Sequence, residues 1–231
     1  MNIPKHHEPH SKSNSFIHDV ILGMADGITV PFAIAGGLAL AAASTNLVIT
    51  GGFVEIVAGS ISMGLGGYLA AQNEADHYET ERRREETEVE EKPEAEKEEV
   101  RDVLSSYGLS AKEGATLAEA MAKRKKSWID FMMRFELGLE APNKGMALKS
   151  AATIAAAYVV GGVIPLSPYL FISPTSLALR FSIFATLVSL IVFGYLRGKF
   201  AMRKPIRGLI QTVIVGSLAA GAAFVLARLI P

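Results

Sequence analysis

The chain has 231 residues, 50% of them apolar, and a mean hydropathy of +0.30, above the range of a water-soluble domain of this size. Its 23 basic and 23 acidic residues cancel, and the lack of cysteine excludes disulfides and thiolate metal centres. The cancellation is uneven: thirteen acidic residues lie between Asp76 and Asp102, which argues for an apolar membrane body carrying an acidic soluble insert.

In chain order, residues 1–15 are polar and lack the apolar core and cleavage site of a secretory signal. They read as an N-terminal tail. His6, His7 and His10 within it form a candidate metal cluster, although a plain tail is the simpler reading. Five apolar runs follow, near residues 16–43, 50–71, 145–165, 176–196 and 205–229. Each reaches the about 20 helical residues that cross a hydrocarbon core. The first two are joined by uncharged "STNLV". The third and fourth are joined by "PLSPYLFISPTS", whose prolines are expected to stop the helix. The fourth and fifth are joined by "RGKFAMRKPIR", with five basic residues. The positive-inside rule puts that loop in the cytoplasm. Five spans then place the tail and the insert in the cytoplasm and the C-terminus on the far side. The expected organisation is a tail (1–15), spans one and two (16–72), an acidic helical insert (73–143) and spans three to five (144–231). The fold class is an all-α membrane protein with a cytoplasmic helical insert between spans two and three.

The insert opens with "EADHYETERRREETEVEEK", a strong helix former with no break before Pro93. It is expected to continue the second span as one long helix. Pro93 then begins a second helix and Gly108 ends it. Ser110 and Glu113 have the spacing of a capping box for a third. In "SWIDFMMRFELGLEAP", regular helical spacing places Trp128, Phe131, Met132, Phe135 and Leu139 on one face. With "KRKK" before it, this helix is expected to lie at the lipid headgroups.

Asp26 stands inside the first span. A carboxylate at mid-membrane costs roughly 2.5–3.5 kcal/mol on insertion scales, so such a residue is a functional candidate by default. Gly23 and Gly27 flank it at the spacing that lets another helix approach closely. Asp19 lies seven residues earlier on the same face, and Pro31 frees a carbonyl further along. In the second span, Glu55, Gly59 and Met63 fall along one stripe. Met63 is expected at about the depth of Asp26, with Glu55 about 12 Å nearer the far side at about 1.5 Å per residue. A hard carboxylate beside a soft thioether suits a borderline divalent ion such as Fe(II) and suits Mg or Ca poorly. Taken alone, Met63 reads as lipid-facing or packing filler; the expected coincidence in depth with Asp26 brings a ligand role level with that reading.

The insert repeats that chemistry. Glu85 and Glu88 share one helical face and Glu96 and Glu99 another, at a spacing that can converge on cations between helices. Met132, Met133 and Glu136 could close such a site with thioether and carboxylate together; an acidic run without such partners is usually a solvated face. No phosphate-binding loop, HExxH, GxSxG or nucleophile–base set is present, so neither an ATP-driven pump nor an enzyme is expected. "GMADG" has only one spanning Asp, where an aspartyl intramembrane protease needs two. No aromatic-and-basic groove points to nucleic acid.

These residues, in the stretches "DGITVPFA", "VEIVAGSISMGLGGYLAAQNEADHY", "WIDFMMRFELGLEAP" and "TIAAAYVVGGVIPLSPY", give the chain a specific resemblance to the vacuolar iron transporters. The branch it resembles is the plant and protist one, with a cytoplasmic metal-binding insert. The stretches cover the first three spans and the insert; the last two spans match in character. The resemblance implies Fe(II)/proton antiport from the cytosol into the acidic vacuole by a homodimer of five-span protomers in the vacuolar membrane. It implies Asp26, Glu55 and Met63 as translocation residues. It also implies Glu85, Glu88, Glu96, Glu99, Met132, Met133 and Glu136 as the ligands of the insert. The partners expected are the bilayer, divalent ions and protons, with Mn, Co and Zn able to occupy the same sites. The alternatives are a manganese/proton antiporter and a membrane-tethered buffer that moves no ions; a buffer has no use for Asp26 and Glu55.

Overall fold

The computed structural model describes residues 10–41, 44–143, 145–201 and 203–229; His6, His7 and the rest of the first nine residues lie outside the described residues. Among the described residues all regular structure is helical. The elements are α1 (His10–Leu40), α2 (Thr45–Glu91), α3 (Pro93–Ser106), α4 (Ala111–Ala122), α5 (Lys125–Phe131), a π-helical turn (Met132–Glu136), α6 (Met146–Phe171), α7 (Thr175–Phe200) and α8 (Pro205–Leu229). The chain divides into two compact units, residues 1–69 with 147–231, and residues 70–146. Five helices, α1, α2, α6, α7 and α8, are long and apolar enough to cross a membrane. The unbroken run before Pro93 forms a single helix with the second span, 47 residues in all.

In the first unit, Val57, Ile61, Leu65, Phe184, Val215 and Leu218 are exposed. Outward-facing apolar side chains of this kind suit lipid, where helices satisfy their own backbone and need no polar coat. The interior is built on close backbone approach. A Cβ on Gly23 would sit 2.8 Å from that of Ala157, and one on Gly27 would sit 2.8 Å from Tyr158 Cα. The helix that comes close to the Gly23/Gly27 face is therefore α6. From α6, Ile154, Tyr158, Leu166 and Tyr169 are buried.

Two expected boundaries shift. α2 begins at Thr45, inside the expected link, and the Thr45 hydroxyl donates to the Ser173 carbonyl at 2.9 Å. More instructive is α6, which runs through Pro165 and Pro168 to Phe171 where a stop was expected at Pro165. A proline removes one helical hydrogen bond, but in a membrane helix nearby hydroxyls can satisfy the freed group. Here the Ile164 carbonyl, orphaned by Pro168, accepts from Ser167 Oγ at 2.8 Å, and Ser182 Oγ donates to the Pro165 carbonyl at 2.7 Å. The break falls at Pro174, which caps α7.

In the second unit, Pro93 opens α3 and Gly108 (φ +88°) follows its end. Ser110 and Glu113 form the expected capping box. The core gathers Tyr78, Val89, Val100, Trp128, Ile129, Met132 and Met133. This corrects the expected amphipathic face. α5 stops at Phe131, and the Leu137 N–H reaches back five residues to the Met132 carbonyl at 3.1 Å. The wider turn rotates the register. Ile129 and Met133 turn inward with Trp128 and Met132, while Phe135 is 47% exposed, stacked on Phe131 at 5.0 Å. The apolar face of this segment is thus buried inside its own unit and offers no continuous stripe for headgroups.

The α1–α6 approach predicts that Gly27→Ala destabilises the first unit by about 1–3 kcal/mol, the usual cost of overpacking. Gly66, where an added methyl would meet nothing within 4 Å, is the control. Thermal unfolding in detergent should drop for Gly27→Ala and stay unchanged for Gly66→Ala.

Candidate metal centres

In the second unit, α2 supplies Glu85 and Glu88, α3 supplies Glu96 and Glu99, and the π-helical turn supplies Met132, Met133 and Glu136. Glu85 and Glu96 are 4% and 3% exposed, and each has its Oε2 buried with no hydrogen-bond partner. Burial first, then the neighbouring Glu96, Glu136, Glu88 and Glu99, push the Glu85 carboxyl up to about 7. Burial first, then Glu99, Glu88 and Glu136, push Glu96 up to about 7 as well. Glu136 is raised by burial first and then by the neighbouring Glu99. These mutual effects place all five carboxylates in one neighbourhood.

Three basic residues of the unit are paired with other acids. Arg82 Nη1 lies 2.9 Å from Asp130 Oδ1, Lys97 Nζ lies 3.0 Å from Glu119, and Lys125 pairs with Glu90. Of the candidate carboxylates only Glu88 has ion pairs among the described residues, with Arg84 at 3.2 Å and Lys92 at 3.9 Å. Met132 and Met133 are 0% and 1% exposed, so their thioethers sit in the dry core. Among the described residues no three His, Asp or Glu side chains are grouped closely enough to hold an ion as they stand. Like charges at close range repel. Chemically, the arrangement is an acidic, partly desolvated neighbourhood in which only Glu88 has a counter-charge among the described residues, with soft sulfur on the same π-helical turn as Glu136.

In the first unit, Asp26, Glu55 and Met63 are all half-buried. Glu55 has a partner the sequence reading missed: Tyr158 Oη donates to Glu55 Oε1 at 2.7 Å. The second oxygen, Glu55 Oε2, is buried without a partner. Tyr158 is 2% exposed; its ring lies against Gly59 and its backbone against Gly27. At this level α6 therefore stands between α1 and α2. Neither the Asp26 side chain nor Met63 makes a hydrogen bond or ion pair within the chain, among the described residues. Asp19 is 7% exposed and has His18 Nδ1 at 3.8 Å. The sequence signal for Tyr158 was a lone phenol in "TIAAAYVVGG": an acid in lipid needs a donor, and few side chains in these spans can donate.

Comparison with known proteins identifies the family. Residues 17–228 match the VIT family. The chain is 48% identical over 225 residues to "Vacuolar iron transporter 1" of Oryza sativa subsp. japonica, covering 96% of this chain and 89% of the relative. It is also 48% identical to "Vacuolar iron transporter 1" of Arabidopsis thaliana, covering 97% and 90% of the two chains. To "Protein CCC1" of Saccharomyces cerevisiae it is 36% identical, covering 93% and 69%. With a match over nearly its whole length and relatives at this identity, the chain belongs to the VIT family.

Proposed function

We propose that this chain carries ferrous iron across the vacuolar membrane, from the cytosol into the acidic lumen, in exchange for protons. The observation that carries the reading is the set of buried carboxylate oxygens without partners, Glu55 in the first unit and Glu85 and Glu96 in the second. A desolvated carboxylate is stabilised either by a proton or by a cation. That choice is the chemistry an ion–proton exchanger needs. The names of the relatives, vacuolar iron transporters of plants, support iron as cargo and the vacuole as location.

In this reading the acidic unit faces the cytosol, as the basic α7–α8 link requires under the positive-inside rule. Glu85, Glu88, Glu96, Glu99 and Glu136 collect the dication, and Met132 and Met133 bias the site toward borderline metals. In the membrane, Asp26 and Met63 receive the ion, with two protomers of a homodimer contributing where their first spans meet. Glu55 passes it toward the lumen, one oxygen fixed by Tyr158 and the other open. Protons arriving from the acidic lumen compete for the same oxygens and reset the carboxylates. The intramembrane acids set this reading above a metal buffer that moves no ions.

Three outcomes test it. In proteoliposomes with an imposed pH gradient, Asp26→Ala is expected to lower Fe(II) uptake at least tenfold; uptake equal to wild type removes the translocation role. Changing Glu85, Glu88, Glu96 and Glu99 to Gln is expected to abolish metal-induced change in the fluorescence of Trp128, the only tryptophan, which shares the buried core with Met132 and Met133. Full retention of metal binding removes the collector role. The third outcome is pH-dependent. Glu85 and Glu96 titrate near about 7 in the folded protein against an ordinary 4.5. The folded state therefore holds more protons across that window, so their contribution to stability is full below the ordinary value and is lost as pH rises through about 7. In chelator, thermal stability of the second unit should fall across that window, and the four-fold Gln variant should flatten the slope.

A further inference from the structure

The last acidic residue of the chain is Glu140; from Ala141 to Pro231 there are nine Lys and Arg and no Asp or Glu. Five of those cations, Arg197, Lys199, Arg203, Lys204 and Arg207, crowd the short connection between α7 and α8. None of the five forms an ion pair among the described residues. Lys199, Arg203, Lys204 and Arg207 are exposed, while Arg197 turns inward to donate to Thr212 Oγ1 at 3.3 Å.

Among the described residues, the backbone beneath these charges is closely packed. The Lys204 N–H donates to the Gly198 carbonyl at 2.8 Å, and a Cβ on Gly198 would lie 2.7 Å from Pro205 Cα. Gly198 and Gly208 pack backbone to backbone across the hairpin. Arg203 sits at φ +52°, a left-handed conformation that L side chains rarely adopt. The described residues of the hairpin thus carry these guanidinium and ammonium groups on closely packed backbone. Beside them Phe200 and Ile206 are 62% and 70% exposed, and Lys199 Nζ lies 5.6 Å from the Phe200 ring centre. Cations next to bare apolar side chains, at the end of two membrane-spanning helices, match a ligand with a charged head and an apolar tail.

We propose that the α7–α8 hairpin binds the phosphate of an anionic lipid, with Arg203, Lys204 and Arg207 as the phosphate contacts and Phe200 and Ile206 against the acyl chains. This goes beyond the transport reading and rests only on the membrane character of α7 and α8. Its failure would leave metal uptake untouched, as failure of transport would leave lipid retention untouched.

The test is native mass spectrometry of the full chain extracted from nanodiscs of equal parts phosphatidylcholine and phosphatidylglycerol. The wild type is expected to retain phosphatidylglycerol preferentially. A basic residue near an anionic surface contributes about fivefold in binding, so Arg203→Gln, Lys204→Gln and Arg207→Gln together should lower the preference on the order of a hundredfold. Arg180→Gln, at the start of α7, should leave it unchanged. Gln keeps the backbone bonds of the turn; should the triple variant fail to fold, Lys204→Gln alone and added salt on the wild type give graded losses of the same preference. Retention of both lipids alike, or a loss under threefold in the triple variant, overturns the proposal. So does displacement by inorganic phosphate with no dependence on lipid, which would mark a free-anion site.

Discussion

A carboxylate removed from water needs a positive charge or a proton, and this chain provides few of either where its acids are most buried. Glu85 and Glu96 are nearly inaccessible, yet no Lys or Arg pairs with them among the described residues, while neighbouring cations are engaged with Glu90, Glu119 and Asp130. Glu55 has one oxygen satisfied by a phenol and the other by nothing in the described chain. A protein that only had to fold would replace such groups with apolar ones at little loss, since buried ionic groups are weak contributors to stability. Here they stand buried, each with an oxygen that has no partner among the described residues.

The two units meet the resulting strain differently. The second opposes carboxylate repulsion with a compact core of Tyr78, Trp128, Ile129, Met132 and Met133, and with peripheral ion pairs that fix α5 to α2 and α4 to α3. The first has no ion pairs between helices among the described residues. It relies on glycine faces that allow α1, α2 and α6 to approach at backbone distance, so that a tyrosine from one helix reaches an acid on another. Both solutions hold the acids in place without neutralising them.

Much of this was legible in the sequence because the controlling signals are local. Hydropathy marked the five spans, Pro93 and Gly108 bounded α3, and the Ser110–Glu113 spacing marked the capping box of α4. What was misread depends on the surroundings of a segment. Pro165 and Pro168 stop helices in water, but α6 runs through both, and Ser167 gives its hydroxyl to the carbonyl that Pro168 leaves free. The π-helical turn at Met132–Glu136 shifts the buried face by a fraction of a turn, which a fixed helical period cannot register. Tyr158 stayed hidden for a third reason: a lone phenol in an apolar run signals a donor, but which acid it meets depends on α6 lying beside Glu55, a tertiary fact.

The phenol on Glu55 has a geometric meaning. A carboxylate turns freely about its last bond unless something holds one of its oxygens. Tyr158 holds Oε1, and in doing so it aims Oε2 at a fixed point inside the helices, where nothing among the described residues meets it. A single tether from a neighbouring helix thus orients the acid while leaving half of it unsatisfied.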